Sequence, residues 1–381
     1  MSTSLETLKL LTDQMHLEPA EDLGCPKLPA KHQDDLHISS AVLPNGKRIS
    51  LLKTLLTSAC ERNCNYCPFR AGRDFRRATF KPDEMAQAFM LMHRAGAVEG
   101  MFLSSGIVQG GLTSQDKLID TAEILRHKYQ FRGYLHLKIM PGAEKAQVER
   151  AMQLADRVSI NLEAPNSQRL ELLAPRKQFM DELLQPLRWV EEIRRSQPGY
   201  KGWKGRWPST TTQFVVGAVG ESDLELLSTT ERLYRQLALK RTYYSAFHPV
   251  SDTPLENHPP TPTIREARLY EASFLLRDYG FGLEELPFDP TGNLPHNVDP
   301  KSAWAMENLA DTPVELNKAT RHDLLRVPGI GLKGAEIILA ARRQNKLQSL
   351  GDLSKLGIRT SKAAPYILLN GHRPPLQASF W

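Results

Sequence analysis

The sequence predicts an α/β fold, an open barrel of six βα units, followed by a small all-α domain. Three observations support this prediction. Short β-branched runs alternate with longer helical periods from about residue 51, a turn-rich segment interrupts them near residue 290, and a weak internal repeat lies in the last fifth of the chain. With 381 residues and 41% hydrophobic content, the chain is long enough for two domains.

Six short runs rich in apolar and β-branched residues are the predicted strands. They lie at 51–57, 101–105, 134–139, 157–163, 211–216 and 242–247. The helical periods between and after them begin near Asp83, Ser114, Glu144, Asp181, Ser222 and Thr263. Six strand–helix repeats indicate a partial (β/α)6 barrel of the TIM type, with its chemistry at the carboxyl ends of the strands.

The predicted domain limits follow from these patterns. Residues 1–45 are an N-terminal extension, 46–285 the barrel, 286–299 a linker rich in Pro, Asn and Asp, and 300–381 the all-α domain. The first forty residues contain no apolar run of signal-peptide length, and no later stretch approaches the roughly 20 apolar residues of a membrane span. We therefore expect a cytoplasmic protein without a membrane partner.

The positive charge of the chain is concentrated at its C-terminal end. Residues 301–381 hold 12 Lys/Arg against 6 Asp/Glu, a net charge of +6, whereas residues 1–300 hold 37 of each. A basic appendage on a neutral enzyme indicates a polyanionic partner, although a charge of this size also fits an ordinary solvated surface.

The internal repeat of the basic domain pairs 326–339 with 354–367. Gly329 aligns with Gly357 and Ile330 with Ile358, and capping-box patterns begin at Thr320 and Ser349. Each copy is therefore predicted to be two helices joined by a tight turn. The first copy resembles a helix-hairpin-helix motif, which implies sequence-independent binding of double-stranded DNA, with a protein-docking role as the alternative. The residues that this resemblance assigns to DNA are Arg326, Gly329, Ile330, Gly331, Lys333, Arg342 and Arg343.

Three of the four cysteines lie within eight residues. Cys60, Cys64 and Cys67 follow the first predicted strand with C-x3-C-x2-C spacing, and only Cys25 lies apart. Three thiolates on a [4Fe–4S] cluster leave one iron free to bind another molecule. The alternative, structural zinc, normally takes four protein ligands, and the sequence offers no second pair of cysteines.

This cysteine pattern, with an aromatic residue before the last cysteine and a βα barrel around it, resembles the radical S-adenosylmethionine (SAM) superfamily. The resemblance implies that the methionyl amine and carboxylate of SAM bind the open iron. An electron from a donor such as flavodoxin or ferredoxin then cleaves SAM to methionine and a 5′-deoxyadenosyl radical. The resemblance also implies SAM contacts by strand-end residues. These are Tyr66, Ser104, Ser105, Gly106, Asn161, Glu163, Arg176 and Gly217.

Two further basic segments admit two interpretations each. Arg70, Arg73, Arg76 and Arg77 follow the cysteines and fit either phosphate contacts or a solvated loop. Residues 199–209 interleave Trp and Lys/Arg, a pattern that fits either stacking on nucleic-acid bases or a structural role. We predict the structural role, because the segment enters a strand at the end of the barrel opposite the chemistry.

The order of motifs along nearly the whole chain resembles a bacterial family of radical SAM proteins associated with DNA modification or repair. We therefore predict a radical SAM enzyme that acts on a base or sugar of DNA. The alternatives are an RNA- or tRNA-modifying radical enzyme and a non-catalytic iron–sulfur DNA-binding redox sensor. The sequence leaves open the atom attacked, a protein partner, the oligomeric state and the role of Cys25, which is either a buried thiol or a hydrogen donor.

Overall fold

The computed structural model describes residues 2–13, 38–42 and 46–375. Cys25 and most of the predicted N-terminal extension lie outside these residues. Within the described ranges, no helix combines the length and the apolar composition that crossing a membrane requires.

Seven strands form one sheet and follow each other in chain order. They are β1 (Ile38–Val42), β2 (Arg48–Leu55), β3 (Gly100–Ser104), β4 (Tyr134–Lys138), β5 (Arg157–Ser159), β6 (Ser209–Val216) and β7 (Arg241–Ala246). Strand β1 is antiparallel to β2, and each later neighbouring pair is parallel. The six parallel strands correspond to the six predicted ones, so the α/β half-barrel is confirmed. Strand β1 was missed, because its short sequence ISSAV has no clear alternation.

Helices follow the strands as the alternating pattern predicts. In the first 280 residues they are α1 (Ser2–Asp13), α2 (Pro82–Arg94), α3 (Gly110–Glu123), α4 (Lys145–Leu154), α5 (Ser167–Leu173), α6 (Gln185–Ser196), α7 (Asp223–Leu237) and α8 (Thr263–Asp278). A π-helical turn, Phe179–Leu184, precedes α6. Strand β3 is buried along its whole length, as expected for a parallel strand covered on both faces.

The chain divides into two compact units. The first comprises Met1–Glu221 and Arg232–Thr261, and the second comprises Ser222–Glu231 and Pro262–Trp381. This division assigns α8 and residues 286–299 to the second unit, whereas the sequence pattern assigned α8 to the barrel and 286–299 to a linker. Residues 286–299 are ordered there: the Leu294 backbone N–H donates to the buried carboxylate of Asp223 at 3.0 Å.

Up to residue 375, the C-terminal part of the second unit contains five α-helices and a two-stranded parallel ladder, so the prediction of a purely α-helical domain was wrong in this respect. The elements are α9 (Pro300–Asn308), α10 (Arg321–Arg326), α11 (Leu332–Gln344), α12 (Leu350–Lys355) and α13 (Thr360–Ala363), with β8 (Val314–Glu315) and β9 (Ile367–Leu368). Both predicted capping boxes form, at Thr320 before α10 and at Ser349 before α12.

The internal repeat is also present in the structure. Gly329 and Gly357 both adopt left-handed backbone angles, with φ of 82° and 76°, at the turns between paired helices. The following Ile330 and Ile358 are both buried in one shared core. Each copy is therefore a helix, a tight turn and a helix, as predicted.

Candidate functional site

The three clustered cysteines lie on the loop between β2 and α2. None of them forms a disulfide; Cys64 is buried, and Cys60 and Cys67 are half-buried. Burial raises the pKa of Cys64 and of Cys67 above the ordinary thiol value. Iron binding must therefore release their protons, as is usual for thiolate ligands.

The end of β3 packs directly against the start of this loop. The Gly106 N–H donates to the Thr57 carbonyl at 2.7 Å, and the Ile107 carbonyl accepts from the Glu61 N–H at 2.8 Å. A Cβ atom on Gly106 would lie 2.0 Å from the Ala59 carbonyl oxygen, so only glycine fits there. The Ser104–Gly106 turn was assigned to SAM; in the structure it supports the cysteine loop, with Ser104 buried and Ser105 half-buried.

The arginines after the cysteines bind the loop backbone. The Arg77 guanidinium donates to the carbonyls of Ser58, Phe69, Arg70 and Arg73 at 2.9–3.2 Å. It also stacks on the Phe75 ring, 4.3 Å from its centroid. Arg73 donates to the carbonyls of Pro68 and Ser251. Carbonyls near the cysteines therefore occupy the terminal nitrogens of Arg77, which contradicts the phosphate interpretation for this residue. For Arg73 that interpretation stays a prediction.

A buried cluster of polar side chains contacts the cysteine loop just after the end of β5. The Glu163 carboxylate accepts from the Lys177 ammonium at 2.9 Å, and the Tyr66 side chain also hydrogen-bonds to Glu163. Burial alone would raise the pKa of Glu163, but the charges of Lys177 and Lys138 and these hydrogen bonds lower it below its usual value. Glu163 is therefore ionised at neutral pH, and Asn161 lies half-buried two residues before it.

Lys177 is the residue of this group that sequence reasoning missed. Burial by itself would lower its pKa, but the nearby Cys64 and Glu163 raise it above the ordinary lysine value. We predicted a SAM contact for the adjacent Arg176 instead, whose side chain is exposed and donates to the Glu61 carbonyl at 3.4 Å. The signal was present, because the segment LAPRKQF contains two neighbouring cations, but the sequence does not show which of them points inward.

Residues 172–182 hold the cysteine loop from one side. Asn65 donates through its backbone and its side chain to the carbonyls of Leu173 and Leu172, both at 2.8 Å. Arg62 donates to the Arg176 carbonyl and pairs with Glu182 at 2.6 Å. The connection between β5 and α6 thus fixes the loop that carries the cysteines.

The turn after β6 is closed by a buried carboxylate. Gly217 has a left-handed φ of 86°, and a Cβ atom there would lie 2.0 Å from the Thr261 hydroxyl. Its N–H donates to the buried Glu221 carboxylate, which also accepts from the Val219 N–H. Gly217 is therefore required for local packing, and a SAM contact by its backbone stays a prediction.

The comparison with protein families concerns the segment that carries the cysteine loop. The family model described as the Radical SAM superfamily matches residues 54–230. These residues form a radical SAM domain. The superfamily consists of enzymes that use a [4Fe–4S] cluster and SAM, and these are the cofactors of the domain. No curated protein matches the chain.

Solved structures similar to the radical SAM domain have low sequence identity. They include the FeFe-hydrogenase maturase HydG from Carboxydothermus hydrogenoformans, at 13% identity and a TM-score of 0.47, covering 60% of this chain and 51% of that one. Methylornithine synthase PylB has 13% identity, a TM-score of 0.48 and coverages of 60% and 61%. A radical SAM methyltransferase from Sphaerobacter thermophilus has 16% identity, a TM-score of 0.44 and coverages of 63% and 70%. The chain thus spans between half and three fifths of the length of the first two proteins.

The donor set of the radical SAM domain fits the cluster. Three free thiols on one loop match the ligand count that leaves one iron open. Among the described residues, no group of three or more His, Cys, Asp or Glu is placed to hold a single metal ion. A four-iron cluster spreads its thiolates over separate irons, so its ligands need not converge on one point.

The tryptophan-containing segment 199–209 has the structural role that we predicted. The Trp203 ring lies under the Arg126 guanidinium at 3.9 Å, and the Trp207 indole N–H donates to the Gln197 carbonyl. Lys204 pairs with Asp156, the residue before β5, so the segment lies at the amino end of the strands.

The predicted DNA contacts in the second unit fall into two groups. Lys333 and Arg343 are exposed. Arg326 is buried, pairs with Glu285 at 2.9 Å and stacks on Phe281 at 3.8 Å. Arg342 donates to two backbone carbonyls within the same unit, those of Leu316 and Ala319.

The first turn of the repeat carries the remaining predicted contacts. Ile330 fills the core, and Gly331 precedes the first residue of α11. The next N–H, that of Leu332, donates to the Tyr279 hydroxyl. Of the seven residues assigned to DNA, Arg326 therefore points inward, because its guanidinium pairs with the half-buried Glu285, and Ile330 packs in the core.

Proposed function

We propose that this chain is a radical SAM enzyme that repairs or modifies a base or sugar of DNA. The loop with Cys60, Cys64 and Cys67 inside the radical SAM domain is the observation on which the enzymatic part rests. When bound, the cluster and SAM supply a 5′-deoxyadenosyl radical that takes a hydrogen atom from the substrate.

The residues around the loop bind and orient these cofactors. The three thiolates hold the cluster, while Arg77 and Gly106 keep the loop in place from two sides. The ionised Glu163 offers a carboxylate for a hydroxyl or ammonium group of SAM. Tyr66, Ser104, Ser105, Asn161, Arg176 and Gly217 stay the proposed further contacts.

DNA is the proposed substrate because of the second unit. Its paired helices repeat with a left-handed glycine at each turn, and the segment 301–381 has a net charge of +6. In this proposal the tandem helix-hairpin-helix motifs hold the duplex through backbone phosphates, with Lys333 and Arg343 as the exposed cations. A phosphate at the first turn would replace the Tyr279 hydroxyl on the Leu332 N–H. A target base must leave the stack to reach the cluster.

The test measures 5′-deoxyadenosine after anaerobic reconstitution and reduction, with Cys64→Ala as the control. We expect product from the wild type, none from the control, and a higher rate with duplex DNA than with RNA of the same sequence. Equal rates with both would contradict DNA as the substrate. A spectroscopically confirmed cluster without product, even with DNA added, would contradict the enzyme and leave the redox sensor.

A reducing partner completes the proposal. Radical SAM enzymes commonly take their electron from flavodoxin or ferredoxin. We propose a donor of this kind here, and product formation with such a protein in place of a chemical reductant tests it.

A further inference from the structure

Two opposite charges are buried directly behind the cysteine loop. Lys177 and Glu163 form an ion pair of 2.9 Å, and their side chains are 9% and 6% exposed. The Glu163 carboxylate also hydrogen-bonds to Tyr66, which immediately precedes Cys67. Glu163 is therefore one hydrogen bond from the ligand loop, and Lys177 is two.

The backbone conformation of Glu163 indicates that the surrounding structure holds this residue in place. Glu163 has a φ of 65°, a left-handed conformation that is uncommon for residues other than glycine. Its N–H donates to the Gln213 carbonyl at 3.0 Å, and a bridge to Phe214 continues the sheet pairing there. Strained positions of this kind persist where the surrounding structure imposes them, often at functional sites.

Stability does not explain such a pair, because replacing a buried ion pair by apolar side chains is often neutral or stabilising. The position of the charges offers another explanation. The Glu163 carboxylate hydrogen-bonds to Tyr66, which lies between the ligands Cys64 and Cys67, and Lys177 pairs with Glu163 at 2.9 Å. Both charges therefore lie beside the ligand loop, in an interior that screens charge poorly.

We propose that Lys177 and Glu163 set the reduction potential of the cluster with opposite signs. Reduction adds one negative charge to the cluster. The Lys177 ammonium stabilises the reduced form, and the Glu163 carboxylate stabilises the oxidised form. The effects of the two charges on the reduction potential therefore largely cancel, and the hydrogen bond with Tyr66 keeps Glu163 in place. This inference rests on the proposed function, because it requires a cluster on Cys60, Cys64 and Cys67.

The test is a redox titration of the reconstituted full-length protein with dithionite as reductant, without SAM, followed by electron paramagnetic resonance. The variants are Lys177→Met, Glu163→Gln, the double variant and Lys177→Arg. Arg176→Met is the matched control, because it removes the same charge at the neighbouring but exposed position, where water and salt screen it.

We expect Lys177→Met to lower the equilibrium constant for one-electron reduction about tenfold, a downward shift of about 59 mV. Glu163→Gln should shift the potential upward by a similar amount, and the double variant should lie near the wild type. Lys177→Arg and Arg176→Met should change it little. Gln has the same shape as Glu, so Glu163→Gln is the variant that we most expect to fold. An upward shift of its reduction potential is therefore the deciding result.

Three results would overturn this inference. They are shifts of the same sign in Lys177→Met and Glu163→Gln, a Glu163→Gln potential at or below the wild-type value, and an Arg176→Met shift as large as that of Lys177→Met. Failure of the wild type to bind a cluster would instead refute the proposed function itself, so the two failures are distinguishable.

Discussion

Arg77→Met tests how the cysteine loop is held. Four guanidinium–carbonyl hydrogen bonds connect Arg77 to both sides of the cysteine cluster, since Ser58 precedes Cys60 and the other three acceptors follow Cys67. Methionine keeps the apolar contact with Phe75 but removes these four bonds.

The expected magnitude follows from the charge and the burial of the guanidinium. A hydrogen bond to a charged group contributes about 1.5–3 kcal/mol. Arg77 is half-buried, so water can replace part of what is lost, and we expect a net loss of about 2–4 kcal/mol in loop stability. At about 1.4 kcal/mol per tenfold change, local opening becomes about 30- to 700-fold more frequent.

Hydrogen exchange read by mass spectrometry measures this opening directly. Peptides covering residues 58–78 should exchange faster in Arg77→Met by that factor, and the variant should bind less iron after reconstitution. Arg76→Met is the matched control, because the adjacent Arg76 side chain is exposed. Exchange in Arg77→Met within threefold of the control would refute the reasoning.

Four other predictions cover the rest of the molecule. Arg126→Met removes a buried cation that pairs with Asp156 at 3.0 Å, so the free energy of unfolding should fall by about 3–5 kcal/mol in thermal or urea melts. Arg132 is exposed, and Arg132→Met should change the free energy of unfolding by no more than about 0.5 kcal/mol. Gly106→Ala should lower iron incorporation, because the added Cβ atom would clash with the Ala59 carbonyl. Gly199→Ala should not, because a Cβ atom there would lie 3.6 Å from its nearest neighbour. Equal iron incorporation in the two variants would contradict the packing argument. Removing Lys333 or Arg343 should lower DNA affinity similarly for all sequences and reduce the salt slope by about 1 in fluorescence anisotropy, and a sequence-dependent loss would speak against phosphate contacts. Burial lowers the pKa of Lys301 to about 7, so between pH 7 and pH 10 the unfolded state binds this proton more strongly than the folded state does. The free energy of unfolding of the wild type, relative to that of Lys301→Met, should therefore rise over this pH range. A difference that does not change with pH would contradict the burial of this ammonium.

Several parts of the fold could be predicted because they depend on neighbours in sequence. The parallel strands follow from apolar runs, and the capping boxes at Thr320 and Ser349 join residues three positions apart. The glycines at 329 and 357 mark turns that need a left-handed backbone. The C-x3-C-x2-C spacing likewise identifies the ligand loop within eight residues.

The sequence by itself therefore determined the fold class of the chain: an α/β half-barrel with a three-cysteine loop after its first parallel strand, followed along the chain by a basic helical repeat. Only the tertiary structure decided which polar side chains serve the loop. Arg62 meets Glu182 across 120 positions, Lys177 rather than Arg176 points inward, and Arg326 turns away from solvent to pair with Glu285. The physical reason is that periodicity, caps and metal-ligand spacing act over a few residues. The partner of a buried charge depends instead on which distant segments the sheet topology brings together.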